Sequence, residues 1–227
     1  EVRPGFLFVA VPGTTADGSA FVADAVGRGA VAVLVDESVT VTPPAGVALI
    51  RGRNLRRMLA LLSRAIHAGQ PETVVAVTGT SGKTSVAEFT RQIFAALGRK
   101  SASLGTLGVM TDAGLAEGAL TTPGPVELHK LLAGLANGGI THLAMEASSH
   151  GLDQYRLDGV ALQAGAFTNL GRDHMDYHPT VEAYFNAKMR LVRELLQPGQ
   201  PFVVNMDGAW GDRALAVARE RGLAPMS

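Results

Sequence analysis

Apolar residues along this chain come in two alternating rhythms. Short, nearly continuous runs at residues 6–11, 30–35 and 47–50 carry the signature of buried strands. The first is stopped by Pro12-Gly13, and Asp17 is placed to cap a helix carrying Phe21, Val22, Ala25 and Val26 that ends near Gly29. Leu55, Met58, Leu59, Leu62 and Ile66 then recur at three-and-four spacing, one face of a helix. His67-Ala68-Gly69-Gln70-Pro71 breaks the pattern and makes the best boundary. Beyond it the alternation resumes. A strand from Val74 is followed by a helix over 83–97 closed by Gly98, and a strand over 104–110 precedes a polar hairpin around Asp112-Ala113-Gly114. A helix over 126–136 ends at Gly138-Gly139, strands are expected at 142–147, 164–170 and 202–205, and a helix spans 181–196. Another helical pattern comes just before the end. The alternation predicts the α/β class with mainly parallel sheets. It divides into a small N-terminal α/β domain over 1–70 and a second, phosphate-loop domain over 71–227.

Composition narrows the function classes. A hydrophobic share of 47% is that of a globular core, not a disordered chain. Twenty basic and twenty acidic residues cancel, which argues against a general nucleic-acid or membrane-surface binder. Cysteine is absent, and with it thiolate chemistry and thiolate metal sites. No apolar run approaches the ~20 residues of a membrane span and no leader pattern opens the chain, so a cytoplasmic protein is expected. The chain starts at Glu1 without methionine and almost at once enters an apolar run, so a piece of something longer is expected.

The strongest chemical signal is Val74-Val75-Ala76-Val77-Thr78-Gly79-Thr80-Ser81-Gly82-Lys83-Thr84-Ser85. A β-branched run breaks into a glycine turn, and Gly-Lys-Thr opens a helix. Backbone N–H groups and the helix N-terminus would face phosphates, Lys83 would reach the β/γ-phosphates, and the Thr84 hydroxyl would sit on Mg²⁺. The common spacing asks for glycine at Val77; here the leading glycine is Gly79. A plain strand-to-helix turn is the bland alternative, against which the placement of lysine and hydroxyl weighs. Three further clusters fall at expected strand ends, where open α/β sheets bind ligands. They are Thr121-Thr122-Pro123, the run from Glu146 to Arg156, and the run from Thr168 to His178. Glu146 suits either Mg²⁺ or solvent, and a neighbouring phosphate loop favours the metal. Asp173, His174, Asp176 and His178 suit metal ligands or general bases alike. On residue physics alone Lys188 reads as a surface lysine; Arg51, Arg53, Arg56 and Arg57 could bind an anionic ligand, but read more readily as the solvated side of a helix whose other face is Leu55, Met58 and Leu59.

Taken together these motifs resemble the Mur ligase family, in its diamino-acid-adding branch. The resemblance rests on Thr78-Gly79-Thr80-Ser81-Gly82-Lys83-Thr84, Thr121-Thr122-Pro123, Glu146-Ala147-Ser148-Ser149-His150-Gly151-Leu152-Asp153-Gln154-Tyr155-Arg156, the Thr168–His178 run and Ala187-Lys188. The segment from Pro4 to Gly13 looks like the family's N-terminal nucleotide-sugar domain.

The resemblance implies an ATP-dependent amide ligase of bacterial peptidoglycan precursor synthesis. It would add a diamino acid, meso-diaminopimelate before L-lysine, to UDP-N-acetylmuramoyl-L-alanyl-D-glutamate. ATP and Mg²⁺ are the implied cofactors and a cytoplasmic monomer the implied form. By the same resemblance, Lys83, His174 and Lys188 are catalytic. Gly79, Thr80, Ser81, Gly82, Lys83, Thr84, Ser85 and Asn169 hold the nucleotide. Thr121, Thr122, Ser148, Gln154 and Arg156 hold the sugar-nucleotide dipeptide, with Ser149 in the same motif. Thr84, Glu146, His174 and Lys188, once carbamylated, serve the metal. Departures are Ser81 for asparagine, Ser19 for histidine and Arg53-Asn54-Leu55-Arg56 for an Asn-Pro-Arg sequence. The family's first uridine contacts are expected before Glu1 and its amino-acid-selecting domain after Ser227, so the isolated chain is expected to be inactive. Another Mur ligase, a folylpolyglutamate-synthetase-like ligase or a nucleotide-binding module without ligase activity are the alternatives.

Overall fold

The structure, a computed structural model, describes residues 2–13, 17–116 and 120–227. The chain divides into two compact units, Glu1–Leu62 and Ser63–Ser227. In the first, β1 (Leu7–Val9), β2 (Ala32–Asp36) and β3 (Ala48–Gly52) form a parallel sheet in sequence order. Asp17 accepts a hydrogen bond from the Ser19 amide at 2.9 Å and opens a short 3₁₀ turn that runs into α1 (Val22–Gly27). Ala10, Val22, Val33 and Val35 form the core of this unit. The helix α2 (Leu55–Ile66) carries the division between units within it.

The second unit is built on an eight-stranded sheet. Its strands are β4 (Thr73–Thr78), β5 (Ser101–Gly105), β6 (Gly108–Thr111), β7 (Gly114–Ala116), β8 (His142–Glu146), β9 (Ala164–Phe167), β10 (Pro201–Val204) and β11 (Ala224–Met226). They lie in the order β11-β10-β9-β4-β8-β5-β6-β7, parallel except for the β5-β6-β7 meander. The helices are α3 (Lys83–Ala96), α4 (Pro125–Asn137), α5 (Ser149–Asp153), α6 (Val181–Arg190) and α7 (Gly211–Glu220). β4 lies between β8 and β9, so the chain leaves it toward one side of the sheet and later crosses to the other. That reversal opens a crevice at the carboxyl end of β4, where such sheets take ligands. Registry does the rest: Val77 pairs with Glu146 and Thr78 with Phe167, which places the glycine loop, the Glu146 motif and the Thr168 motif side by side. Leu128, Leu132, Leu143, Met145, Phe167, Phe185, Met189 and Phe202 pack the main core, each 2% exposed or less.

The α/β class with mainly parallel sheets is as expected. The expected single strand over 104–110 is instead two antiparallel strands, β5 and β6, turned at Thr106-Leu107. An apolar run cannot reveal this turn, which is set by the Thr106 amide donating to the Glu146 carboxylate at 2.8 Å. The 181–196 helix is α-helical only to Arg190 and widens to a π-turn over Leu191–Leu195. Strand 164–170 stops at Phe167, because Thr168 and Asn169 give their side chains to the glycine loop. The short α5 and the edge strand β11, which contains Pro225, carry too few residues for periodicity to show.

Candidate functional site

Between β4 and α3 the loop turns on Gly79 (φ 146°) and Gly82 (φ 84°). Gly79 has no room for a side chain, because a Cβ would run into the Thr168 hydroxyl. The Thr168–Asn169 segment braces the loop from β9. Asn169 accepts from the Ser81 amide at 2.9 Å, Thr168 donates to the Ser81 carbonyl at 2.7 Å, and the Thr80 amide donates to the Asn169 carbonyl at 2.9 Å. Ser81, Gly82 and Ser85 are exposed at the mouth of α3. A preformed loop with an open helix N-terminus is an anion cradle.

Two lysines converge on the loop's first carbonyl. Lys83 Nζ donates to the carbonyls of Gly79 (3.0 Å) and Thr80 (2.8 Å), and Lys188 Nζ to that of Gly79 at 2.7 Å. Lys188 is 1% exposed, so its expectation as a surface lysine is overturned: α6 packs against the sheet and turns this position inward. Its ammonium sits 4.2 Å from the centre of the Tyr184 ring, one helical turn back, and Tyr184 shares a hydrogen bond with Thr80 Oγ1 (3.2 Å). Burial, aided by the Lys83 charge and opposed by Asp173, pushes the Lys188 amine down to about 7. Burial also lowers Lys83, against the pull of Glu146 and Asp173.

Glu146 ends β8 and is 1% exposed, not solvated. Its carboxylate accepts from Thr84 Oγ1 (2.9 Å), the Thr106 amide (2.8 Å) and Thr106 Oγ1 (3.3 Å). Gly105 makes space for it, since a Cβ there would collide with the carboxylate. Glu146 and Thr84 thus bring two hard oxygen donors together at the phosphate end of the loop. This set fits Mg²⁺, which takes one or two protein oxygens and completes its shell with water and phosphate. Among the described residues no three His, Cys, Asp or Glu side chains form a ready-made cation site. His174, at φ 54°, contacts Asp173 (3.6 Å) and stands edge-on to His150, with ring centres 4.8 Å apart.

Beside Glu146 lies a polar relay. Thr122 Oγ1 donates to the Glu146 carbonyl (3.1 Å) and accepts from the Ser148 amide (3.1 Å), while Ser148 caps α5 by accepting from the Gly151 amide at 3.0 Å. Thr121 shares a hydrogen bond with Thr106 (3.1 Å). Arg156 donates to the Thr122 carbonyl (2.7 Å) and to Gln154 Oε1 (2.7 and 3.2 Å). Gln154 in turn donates to the Tyr177 hydroxyl at 3.2 Å, and Tyr177 donates to Asp153 at 2.7 Å. Ser149 is buried, and its hydroxyl has no hydrogen-bond partner.

The fold therefore gathers the loop, Lys188, Glu146, the Thr121-Thr122 pair and the Gln154–Arg156 pair along one edge of the sheet. Thr106, Tyr184, Gly105 and Arg190 also shape this edge and were not singled out from sequence. Of these, only Tyr184 left a trace, four residues before Lys188 on one helix face.

The profile of the Mur ligase middle domain matches residues 77–225, and that of the Mur ligase family catalytic domain matches residues 1–95. A UDP-N-acetylmuramoyl-L-alanyl-D-glutamate--2,6-diaminopimelate ligase from Rhizobium meliloti is 57% identical over 98% of this chain and 45% of its own length. One of the same description from Caulobacter vibrioides is 48% identical over 95% of this chain and 46% of its own. The chain spans about half the length of the curated relatives it matches. A solved structure of that same description superposes with a TM-score of 0.84 at 28% identity, over 100% of this chain and 46% of its own. MurF ligase from Thermotoga maritima, in complex with ADP, shares the fold at a TM-score of 0.61 and 21% identity, over 100% of this chain and 48% of its own. With the middle-domain profile running through the glycine loop, Glu146 and Lys188, the chain belongs to the Mur ligase family.

Proposed function

We propose that the protein is an ATP-dependent ligase that joins meso-diaminopimelate to UDP-N-acetylmuramoyl-L-alanyl-D-glutamate. Residues 1–70 are read as the sugar-nucleotide domain and 71–227 as the ATP-binding domain, working as a monomer in the bacterial cytoplasm on peptidoglycan precursors. The observation that carries the reading is that the glycine loop and the buried Glu146 end adjacent, in-register strands, with Thr84 at the start of α3 hydrogen-bonded to the Glu146 carboxylate. Relatives bearing the diaminopimelate ligase name, at 48–57% identity, support the choice of acceptor and amine.

In this reading the loop amides and Lys83 bind the β/γ-phosphates of ATP. The D-glutamate carboxylate oxygen attacks the γ-phosphorus, the bond to the bridging oxygen breaks, and ADP leaves. The amine then attacks the acyl carbon, phosphate departs, and the nitrogen gives up a proton. The problem is an anion approaching a polyanion, and preorganised positive charge answers it. Mg²⁺ held by Glu146 and Thr84 would screen the phosphate oxygens. Lys188, whose amine loses its proton near pH 7, is suited to carbamylation, which replaces a repelling ammonium by an anion facing the metal side. His174 joins the metal side, Asn169 holds the nucleotide loop, and Arg156 and Gln154 with Thr121, Thr122 and Ser148 receive the acidic acceptor.

The test is turnover of the full-length protein. ADP should form only when ATP, the UDP-linked dipeptide and meso-diaminopimelate are all present, with a new amide as co-product. ATP hydrolysis indifferent to the acceptor would overturn the ligase reading, and turnover with lysine in place of diaminopimelate would overturn the choice of amine.

A further inference from the structure

Arg190, the last residue of α6, is 8% exposed and uses both the edges and a face of its guanidinium. Nη1 donates to the Leu152 carbonyl at the end of α5. Nη2 donates to both carboxylate oxygens of Asp158 (3.0 and 3.3 Å), and Nη2 and Nε donate to Glu194 (2.7 and 2.9 Å). The group also lies over the Tyr155 ring, 3.9 Å from its centre.

Tyr155 is the residue that matters for the site. Its φ of 59° is in the left-handed region, which a bulky side chain enters only when its surroundings hold it there. Its neighbours on either side are Gln154 and Arg156, which are tied to each other and, through Arg156, to the Thr122 carbonyl. A change in the backbone at Tyr155 would swing both. Arg190 grips that turn from three directions, through Leu152 before it, the Tyr155 ring above it and Asp158 after it.

We propose that Arg190 is a positioning residue of the acceptor subsite, clamping the Tyr155 turn so that Gln154 and Arg156 present their polar groups to the substrate. The inference rests on the reading of those two residues as acceptor-binding. It goes further by assigning their alignment to a residue on the helix that carries Lys188. A planar fork with a stackable face is needed, because an ammonium could not serve a carbonyl, a carboxylate pair and an aromatic ring together.

The experiment is steady-state kinetics of the full-length protein, varying UDP-N-acetylmuramoyl-L-alanyl-D-glutamate and ATP separately. The variants are Arg190→Lys, Tyr155→Leu and Tyr155→Phe. Arg190→Lys and Tyr155→Leu are expected to raise the acceptor KM about tenfold while kcat and the ATP KM stay within about twofold. Tyr155→Phe, which keeps the ring, should behave as wild type. An unchanged acceptor KM in the first two variants, or a parallel rise in both KM values, overturns the inference. So does a fall in kcat alone, the mark of a merely structural ion pair. If Arg190→Lys does not fold, the two Tyr155 variants decide by the same criteria. Wild-type protein with no acceptor-dependent turnover would defeat the functional reading itself, whereas an active wild type with flat variants defeats only this inference.

Discussion

Gly105 has no side chain to offer because the Glu146 carboxylate occupies the space beside it. A methyl group at this position must displace the carboxylate from the amide of Thr106 and the hydroxyl of Thr84. Gly105→Ala is therefore expected to raise the Mg²⁺ concentration for half-maximal turnover at least about tenfold, the effect of losing roughly 1.4 kcal/mol of metal interaction. A Mg²⁺ titration of initial rates checks this, and an unchanged midpoint would remove Glu146 from the metal side. Lys83 makes a different demand. It is drawn back on its own loop by two carbonyls, and substitution by methionine keeps most of its packing while removing the charge. Loss of a preorganised group of this kind costs about 10²–10³ in kcat, which single-turnover measurements at saturating ATP would read. These side chains show how unevenly the site was legible. Lys83 and Thr84 sit in a spaced motif whose chemistry is local, so sequence sufficed. Lys188 is read correctly as buried only when α6 is packed on the sheet, and Gly105 only when β5 lies beside β8.

At the scale of elements, the β5-β6-β7 meander is held to α3 by a partly buried ionic knot. Glu88 on α3 accepts from Arg91 (2.7 Å) and from Ser103 of β5 (2.7 Å), and Arg91 reaches Asp112 at the tip of the hairpin (3.0 Å). Hydrogen bonds from Arg91, then Gln92 and Ser103, hold the Glu88 carboxyl down at about 2 against burial. Its stabilisation is complete above the ordinary value of 4.5 and is lost as pH falls from there toward 2. Glu88→Gln should cost about 1 kcal/mol in urea unfolding at pH 7, since solvent screens a partly exposed pair, and much less at pH 2.5. A cost that is the same at both pH values would contradict the assignment. The elements themselves were largely readable. β4, α3 and α4 are bounded by glycine or proline, so their limits agree with expectation to within a residue or two, and those of the apolar run β8 agree as well. The turn inside 104–110 was not, because its cause is a carboxylate forty residues away in sequence. The π-widening after Arg190 was equally hidden, since Leu191, Val192 and Leu195 keep their apolar spacing through it.

At the scale of the molecule, position in the sheet decides what the motifs can do together. The motifs are separated by dozens of residues, and parallel registry of β4, β8 and β9 lays their ends along one crevice. Sequence supplied the motifs and the α/β class but not that registry, which depends on strand order. The order β9-β4-β8 explains why the Thr168–Asn169 brace and the Glu146 carboxylate approach the loop from opposite sides. The proposal drawn from this arrangement is that one crevice activates ATP against the terminal carboxylate of a UDP-linked dipeptide. Calorimetric titration of the full-length protein with UDP-N-acetylmuramoyl-L-alanyl-D-glutamate tests it most directly, with the same ligand lacking D-glutamate alongside. Binding is expected to weaken at least about a hundredfold, roughly 2.7 kcal/mol, when D-glutamate is missing. Equal affinity for the two ligands, or none for either while Mg·ATP still binds, would contradict it.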